Sequence, residues 1–167
     1  GCRVREVSLR GMDETADIAG EITSAEALAF HWKWFQKKSA DYGSDLRRRF
    51  EESKDRPALA YLLAQERKSS YTERLTSELD TVDVLATPTI PVVAPCLDED
   101  RVRVGRYVEG ARTALLRLTR PGNISGLPAI SVPCGFSRDG LPVGLQLMGR
   151  RHDEATLLRV AGAFEQS

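Results

Sequence analysis

The chain has 167 residues, 41% of them hydrophobic, with 24 Lys and Arg against 24 Asp and Glu, so its formal net charge is zero. That length suffices for one domain with a buried core, residues 1–167, and the charge balance removes any electrostatic reason to expect nucleic acid or an anionic membrane as partner. No apolar run approaches the roughly 20 residues that span a bilayer, and the opening GCRVREVSLRG lacks the basic-then-apolar layout of a secretory signal, so the cytoplasm is the default compartment.

In chain order, the first expected element is a strand over RVREVSL, from the spacing of Val4, Val7 and Leu9. A strand this close to Gly1 needs neighbours, as in a chain trimmed from a longer protein. Thr23 and Glu26 then form a T-x-x-E capping box, which predicts a helix starting there. Leu28, Trp32 and Phe35 follow at i, i+4 and i+7 as its apolar face, and core packing is expected for at least one of Trp32 and Trp34. YGSDLRRRFEESKDR reads as a short helix capped by Ser44. Its Arg47–Arg49 run sits among Glu51, Glu52 and Asp55, which predicts a solvated ion-paired face rather than a phosphate site.

Pro57 opens a long helix whose buried stripe is predicted to be Leu59, Leu62, Leu63, Leu75 and Leu79. Residues 1–80 are thus mainly helical. From 81 onward strands dominate: a buried one over Val82–Ala86, then an extended loop broken by Pro88, Pro91 and Pro95, because proline cannot donate to a ladder. Residues 101–118 read as mostly helical. Two strands follow, Ala129–Phe136 and Leu141–Met148, joined by SRDG, whose Asp-Gly pair suits a tight turn. Both faces of the second strand are largely uncharged, which predicts cover on both sides in a three-layer α/β/α arrangement. A closing helix is capped by Asp153 and packs through Leu157, Leu158, Ala161 and Phe164.

Chemistry-bearing groups are sparse. Cys2, Cys96 and Cys134 are odd in number, far apart and never in a CxxC pair, so a disulfide framework or zinc site is not expected. His31 and His152 are isolated, and no metal or cofactor is predicted. Ser69-Ser70 beside Lys68 lies in a charged helix without a glycine-rich turn to present a nucleophile, and Ser131 with His152 and Asp153 lacks a G-x-S-x-G context. Neither is read as catalytic. The glycines of SGLPAISVPCGFSRDGLPVG match no phosphate-binding motif, so a nucleotide site is not indicated either.

Three segments taken together, VDVLATPTIPVVAP, TRPGNISGLPAISVPCGF and GLPVGLQLMGRRHDEATLLRVAGAFE, resemble the C-terminal part of the amidase signature family. AEALAFH, YGSDLRRRF and AYLLAQERK are similar to that family's preceding helices, so the resemblance covers the whole chain. It implies an α/β fold, a mixed β-sheet flanked by α-helices, of which this chain is the C-terminal portion. It also implies cleavage of amide C–N bonds in a small-molecule amide, or transfer of the ammonia. The family's Ser nucleophile, second Ser in a cis peptide and Lys base sit in an upstream Gly/Ser-rich signature with no counterpart here, so no catalytic residue and no turnover are expected of this chain alone.

By the same resemblance, Leu116, Thr119, Gly122 and Asn123 border the acyl side of the substrate pocket. Glutamine-using transferases of tRNA-dependent amidation carry an Asp where this chain has Leu116. An apolar side chain cannot hold a substrate ammonium, which points away from glutamine and toward an uncharged or apolar amide. The alternatives are an A-subunit-like part of such a transferase and a stand-alone interaction module, whose exposed sheet edge would be covered by a homodimer partner.

Overall fold

A computed structural model describes all 167 residues as six α-helices, a three-stranded sheet and a separate hairpin. Helix α1 (Thr15–Lys38) runs eight residues earlier than the capping box at Thr23 suggested. Ile18 and Ile22, one turn apart, are buried on its first half, and packing of that face outweighs a local capping signal. Thr23 and Glu26 therefore lie inside the helix. Neither tryptophan enters the core: Trp32 is 39% and Trp34 62% exposed. Leu28 and Phe35 are buried as expected, but their partner is Phe50 of α2 (Ser44–Ser53), with Tyr42 edge-on to both phenylalanines and His31 tilted against Phe50.

On α2, Arg48 pairs with Asp45 at 2.8 Å and Glu52 at 2.9 Å, the solvated face expected of that run. Those acids raise the Arg48 pKa above its ordinary value. Helix α3 (Ala58–Leu79) begins straight after Pro57. Its C-terminal half buries Tyr71, Leu75 and Leu79 against α1, whereas Leu59, Leu62 and Leu63 face outward, contrary to the predicted stripe. Arg150 holds the exit of this helix, donating from Nε to the Leu79 carbonyl at 3.1 Å and from Nη2 to the Val82 carbonyl at 2.7 Å. Residues 80–83 are consumed in that exit, which moves the strand two residues downstream to β1 (Val84–Pro88).

Residues 101–118 are not mostly helical. They hold a hairpin, β2 (Arg101–Val104) with β3 (Tyr107–Gly110), followed by α4 (Ala111–Leu116). The turn is the two residues Gly105-Arg106, and Gly105 at φ +58° takes a conformation that a side chain disfavours. Val102 alternates inward onto Ala111 and Ala114.

After α5 (Arg120–Ser125) come β4 (Ala129–Phe136) and β5 (Pro142–Gly149), antiparallel, within one residue of their predicted bounds. β5 is the central strand of β1-β5-β4, and all three run antiparallel to their neighbours. The period-two alternation sorts their side chains: Leu85 and Met148 meet α1, α3 and Ile124 of α5, while Val132 and Leu147 meet Leu157 and Ala161 of α6 (Glu154–Glu165). This is the expected helix–sheet–helix layering. Asp153 caps α6 through the Thr156 amide, but Leu158 and Phe164 point to solvent.

Residues 1–9 form no strand. Val7 and Leu9 pack onto the main core and Arg5 bonds Thr81, so the segment lies along α3 while the outer edges of β1 and β4 stay unpaired. Alternation alone does not make a strand without a ladder partner. The three cysteines are free and exposed, and no helix is long and apolar enough to cross a membrane.

Candidate functional site

Helices α4 and α5 are joined by residues 117–119, which keep helical character: the Arg117 amide donates to the Ala114 carbonyl at 3.1 Å and the Asn123 amide to the Thr119 carbonyl at 3.2 Å. Leu116, Thr119 and Asn123 therefore recur at i, i+3 and i+7 and share one side of an almost continuous helical path. Leu116 and Thr119 are half-buried and Asn123 is exposed. The Thr119 hydroxyl donates to the Leu116 carbonyl at 3.3 Å, tying two of the three together. Gly122 is buried, and a Cβ placed there would sit 3.4 Å from Met148 Cε, so it faces the Met148 side chain of β5 at ordinary contact distance. At the far end Gly126 takes φ +67° and ends the helix.

Neither of the two main grooves is lined by all four residues. Asn123 opens onto a groove of about 470 Å³ shared with Lys68, Ser69, Glu73 and Arg151, and Leu116, Thr119 and Gly122 are not among its walls. A larger groove, about 780 Å³, runs between residues 5–10 and the C-terminal half of α3 and touches none of them.

The surroundings of Leu116 and Thr119 are cationic. Arg117 pairs with Glu109, whose other oxygen, Oε1, is buried without a partner. Arg120 donates to the Thr113 carbonyl at 3.4 Å, and burial together with Arg112 and Arg117 holds its pKa below the ordinary value. It stays charged at neutral pH. None of the hydroxyl and carboxylate groups weighed from the sequence is poised for nucleophilic catalysis: Ser69 Oγ donates to the Gln65 carbonyl inside α3, the Ser131 hydroxyl is 2.6 Å from that of Thr89, and the Asp153 carboxylate is occupied with its cap. No three His, Cys, Asp or Glu side chains converge as a metal site would require.

Gln146 was not singled out from the sequence, where it reads as one uncharged residue on a covered strand. In the structure its amide is buried and bonds the Leu118 carbonyl at 2.8 Å and Thr87 Oγ1 at 3.1 Å. The available signal was a polar residue in mid-strand between apolar neighbours. Its partners, 28 and 59 residues away, gave none.

The Amidase family model matches residues 1–158. Fatty acid amide hydrolase of Arabidopsis thaliana is 36% identical over 167 residues, 99% of this chain and 28% of that protein. The A-subunit of glutamyl-tRNA(Gln) amidotransferase of Myxococcus xanthus (strain DK1622) is 44% identical over 108 residues, 64% of this chain and 21% of that protein. Among solved structures, one of an amidase superposes with a TM-score of 0.94 at 26% identity, over 99% of this chain and 38% of the other. The glutamyl-tRNA(Gln) amidotransferase A-subunit of Thermotoga maritima superposes at 0.68 with 30% identity, over 100% and 35%. The chain thus spans between 21% and 38% of the length of these relatives. With a family model matching nearly its whole length and the layered α/β fold of the solved amidases, the chain belongs to the amidase signature family.

Proposed function

We propose that residues 1–167 are the C-terminal portion of an amidase domain that hydrolyses uncharged carboxamides, with Leu116, Thr119, Gly122 and Asn123 contributing to the acyl side of its pocket. The Ser-Ser-Lys groups that do the chemistry lie outside this chain. There the Lys takes the proton of the Ser hydroxyl, the Ser oxygen attacks the amide carbon, the C–N bond breaks with loss of ammonia or amine, and water releases the carboxylate. This chain supplies shape and electrostatics to that reaction.

The observation that carries the substrate class is the half-buried Leu116 beside Arg117 and Arg120. A substrate ammonium would find Leu116 in place of a carboxylate, with Glu109 engaged by Arg117 and the Arg120 cation nearby, so glutamine is disfavoured relative to a neutral amide of the same length. The test compares kcat/KM of the intact protein for matched neutral and ammonium-bearing amides. Wild type is expected to prefer the neutral one, and Leu116→Asp to move the ratio toward the cation by about tenfold, the effect of about 1.4 kcal/mol. A ratio unmoved by Leu116→Asp removes this residue from the pocket.

The unpaired edges of β1 and β4 favour one alternative, a non-enzymatic module whose edge is covered by a second copy. Sedimentation separates the two: a stable monomer counts against edge pairing.

A further inference from the structure

The α4–α5 path is fastened to the sheet at two points. At the first, Gln146 on β5, only 6% exposed, spends both amide hydrogens: Nε2 donates to the Leu118 carbonyl at 2.8 Å and to Thr87 Oγ1 on β1 at 3.1 Å. A carbonyl oxygen can only accept, so the nitrogen side of the amide must face Leu118 and its orientation is fixed. At the second, α5 packs on the sheet through Ile124, in one core cluster with Met148, whose Cε lies 3.4 Å from where a Gly122 Cβ would stand.

The spacings match. Residues 146 and 148 stand about 6.8 Å apart along a strand, and residues 118 and 122 about 6 Å apart along a helix. At about 100° per residue, Leu118 and Gly122 share the side toward the sheet, Leu116 and Asn123 point about 100–160° away from them, and Thr119 lies between, about 60° from Gly122. Moving the fastened face moves the other.

We infer that Gln146 is the positioning residue for the pocket wall carried by α4 and α5, setting the place of Leu116 and Thr119 through its bond to the Leu118 carbonyl. This rests on the pocket reading above. The Gln146 side chain does not touch substrate. It acts through the backbone of the segment between the two helices, with Thr87 holding the amide in place.

The experiment uses the intact protein that carries this chain. Gln146→Glu keeps the shape but has no N–H to donate at neutral pH, Gln146→Met removes all polarity, and Val132→Ala is a control on the opposite, α6-facing side of the sheet. Hydrogen exchange of the peptide spanning residues 116–126 is read well below each variant's Tm, together with the kcat/KM ratio for a bulky amide over acetamide. Both Gln146 variants are expected to exchange about fivefold or more faster there, as for loss of one well-formed hydrogen bond, and to shift the substrate ratio. Val132→Ala is expected to lower Tm without either change. Exchange and ratio in Gln146→Glu equal to those of wild type, or Gln146 variants indistinguishable from Val132→Ala, would overturn the inference. If wild type cleaves no amide while the exchange difference stands, the proposed function fails and the positioning role survives.

Discussion

The two halves of α3 carry the same kind of sequence and meet opposite fates. Around Leu75 and Leu79 the helix lies against α1 and β1 and is sealed; around Leu59, Leu62 and Leu63 it presents a leucine face to solvent, Leu62 being 61% exposed. Periodicity says which residues of a helix share a side, and only a neighbouring element decides whether that side is buried. The C-terminal half has such neighbours in Ile18, Ile22 and Leu85. In the N-terminal half it is Ala64 and Tyr61 that meet the core, with Tyr61 also bonded to Glu26 and Gln65, and the leucines are left on the uncovered side.

The sharpest way to break this contrast is Leu79→Ala. A fully buried leucine is expected to cost about 2–5 kcal/mol on truncation, measured by chemical denaturation, because the surrounding core closes only partly over the cavity. A smaller effect is expected from alkali at Tyr71. Burial raises its pKa to about 12, Arg74 opposing and Glu14 adding to the shift, from an ordinary value near 10. The folded state therefore holds the phenol proton more tightly than the unfolded chain. Stability from this group is complete below pH of about 10 and is lost as pH rises toward about 12. Tyr71→Phe should flatten the fall of Tm across that window relative to wild type. The smallest effect belongs to Leu62→Ser, expected within about 0.5 kcal/mol. A cost like that of Leu79→Ala would show that something covers the leucine face in the intact protein.

The same distinction explains what could be read in advance. The β4–β5 hairpin was legible because its turn, its alternation and its cover all point one way, and the Asp153 cap and the start of α3 after Pro57 are equally local. The β2–β3 hairpin falls in a stretch that reads as mostly helical, although Val102, Val104 and Gly105 carry the hairpin pattern. Thr23 misled because a capping box inside a helix looks like one at its start. Val7 and Leu9 alternate as in a strand, yet strand formation needs a second chain segment that local sequence does not contain.

The site divides likewise. Leu116, Thr119 and Asn123 came from motif resemblance, and helical spacing then explains why they share a side. Gln146 was invisible because both its bonds are made across the fold.

Under the proposed function, this chain shapes an amide pocket without containing the groups that react in it. The direct measurement is ammonia release from a simple neutral amide, with protein mass verified, by the 167-residue chain alone and by the intact protein that carries it. Turnover is expected of the intact protein, and none above background of the isolated chain. Hydrolysis by the isolated chain would contradict the proposed function.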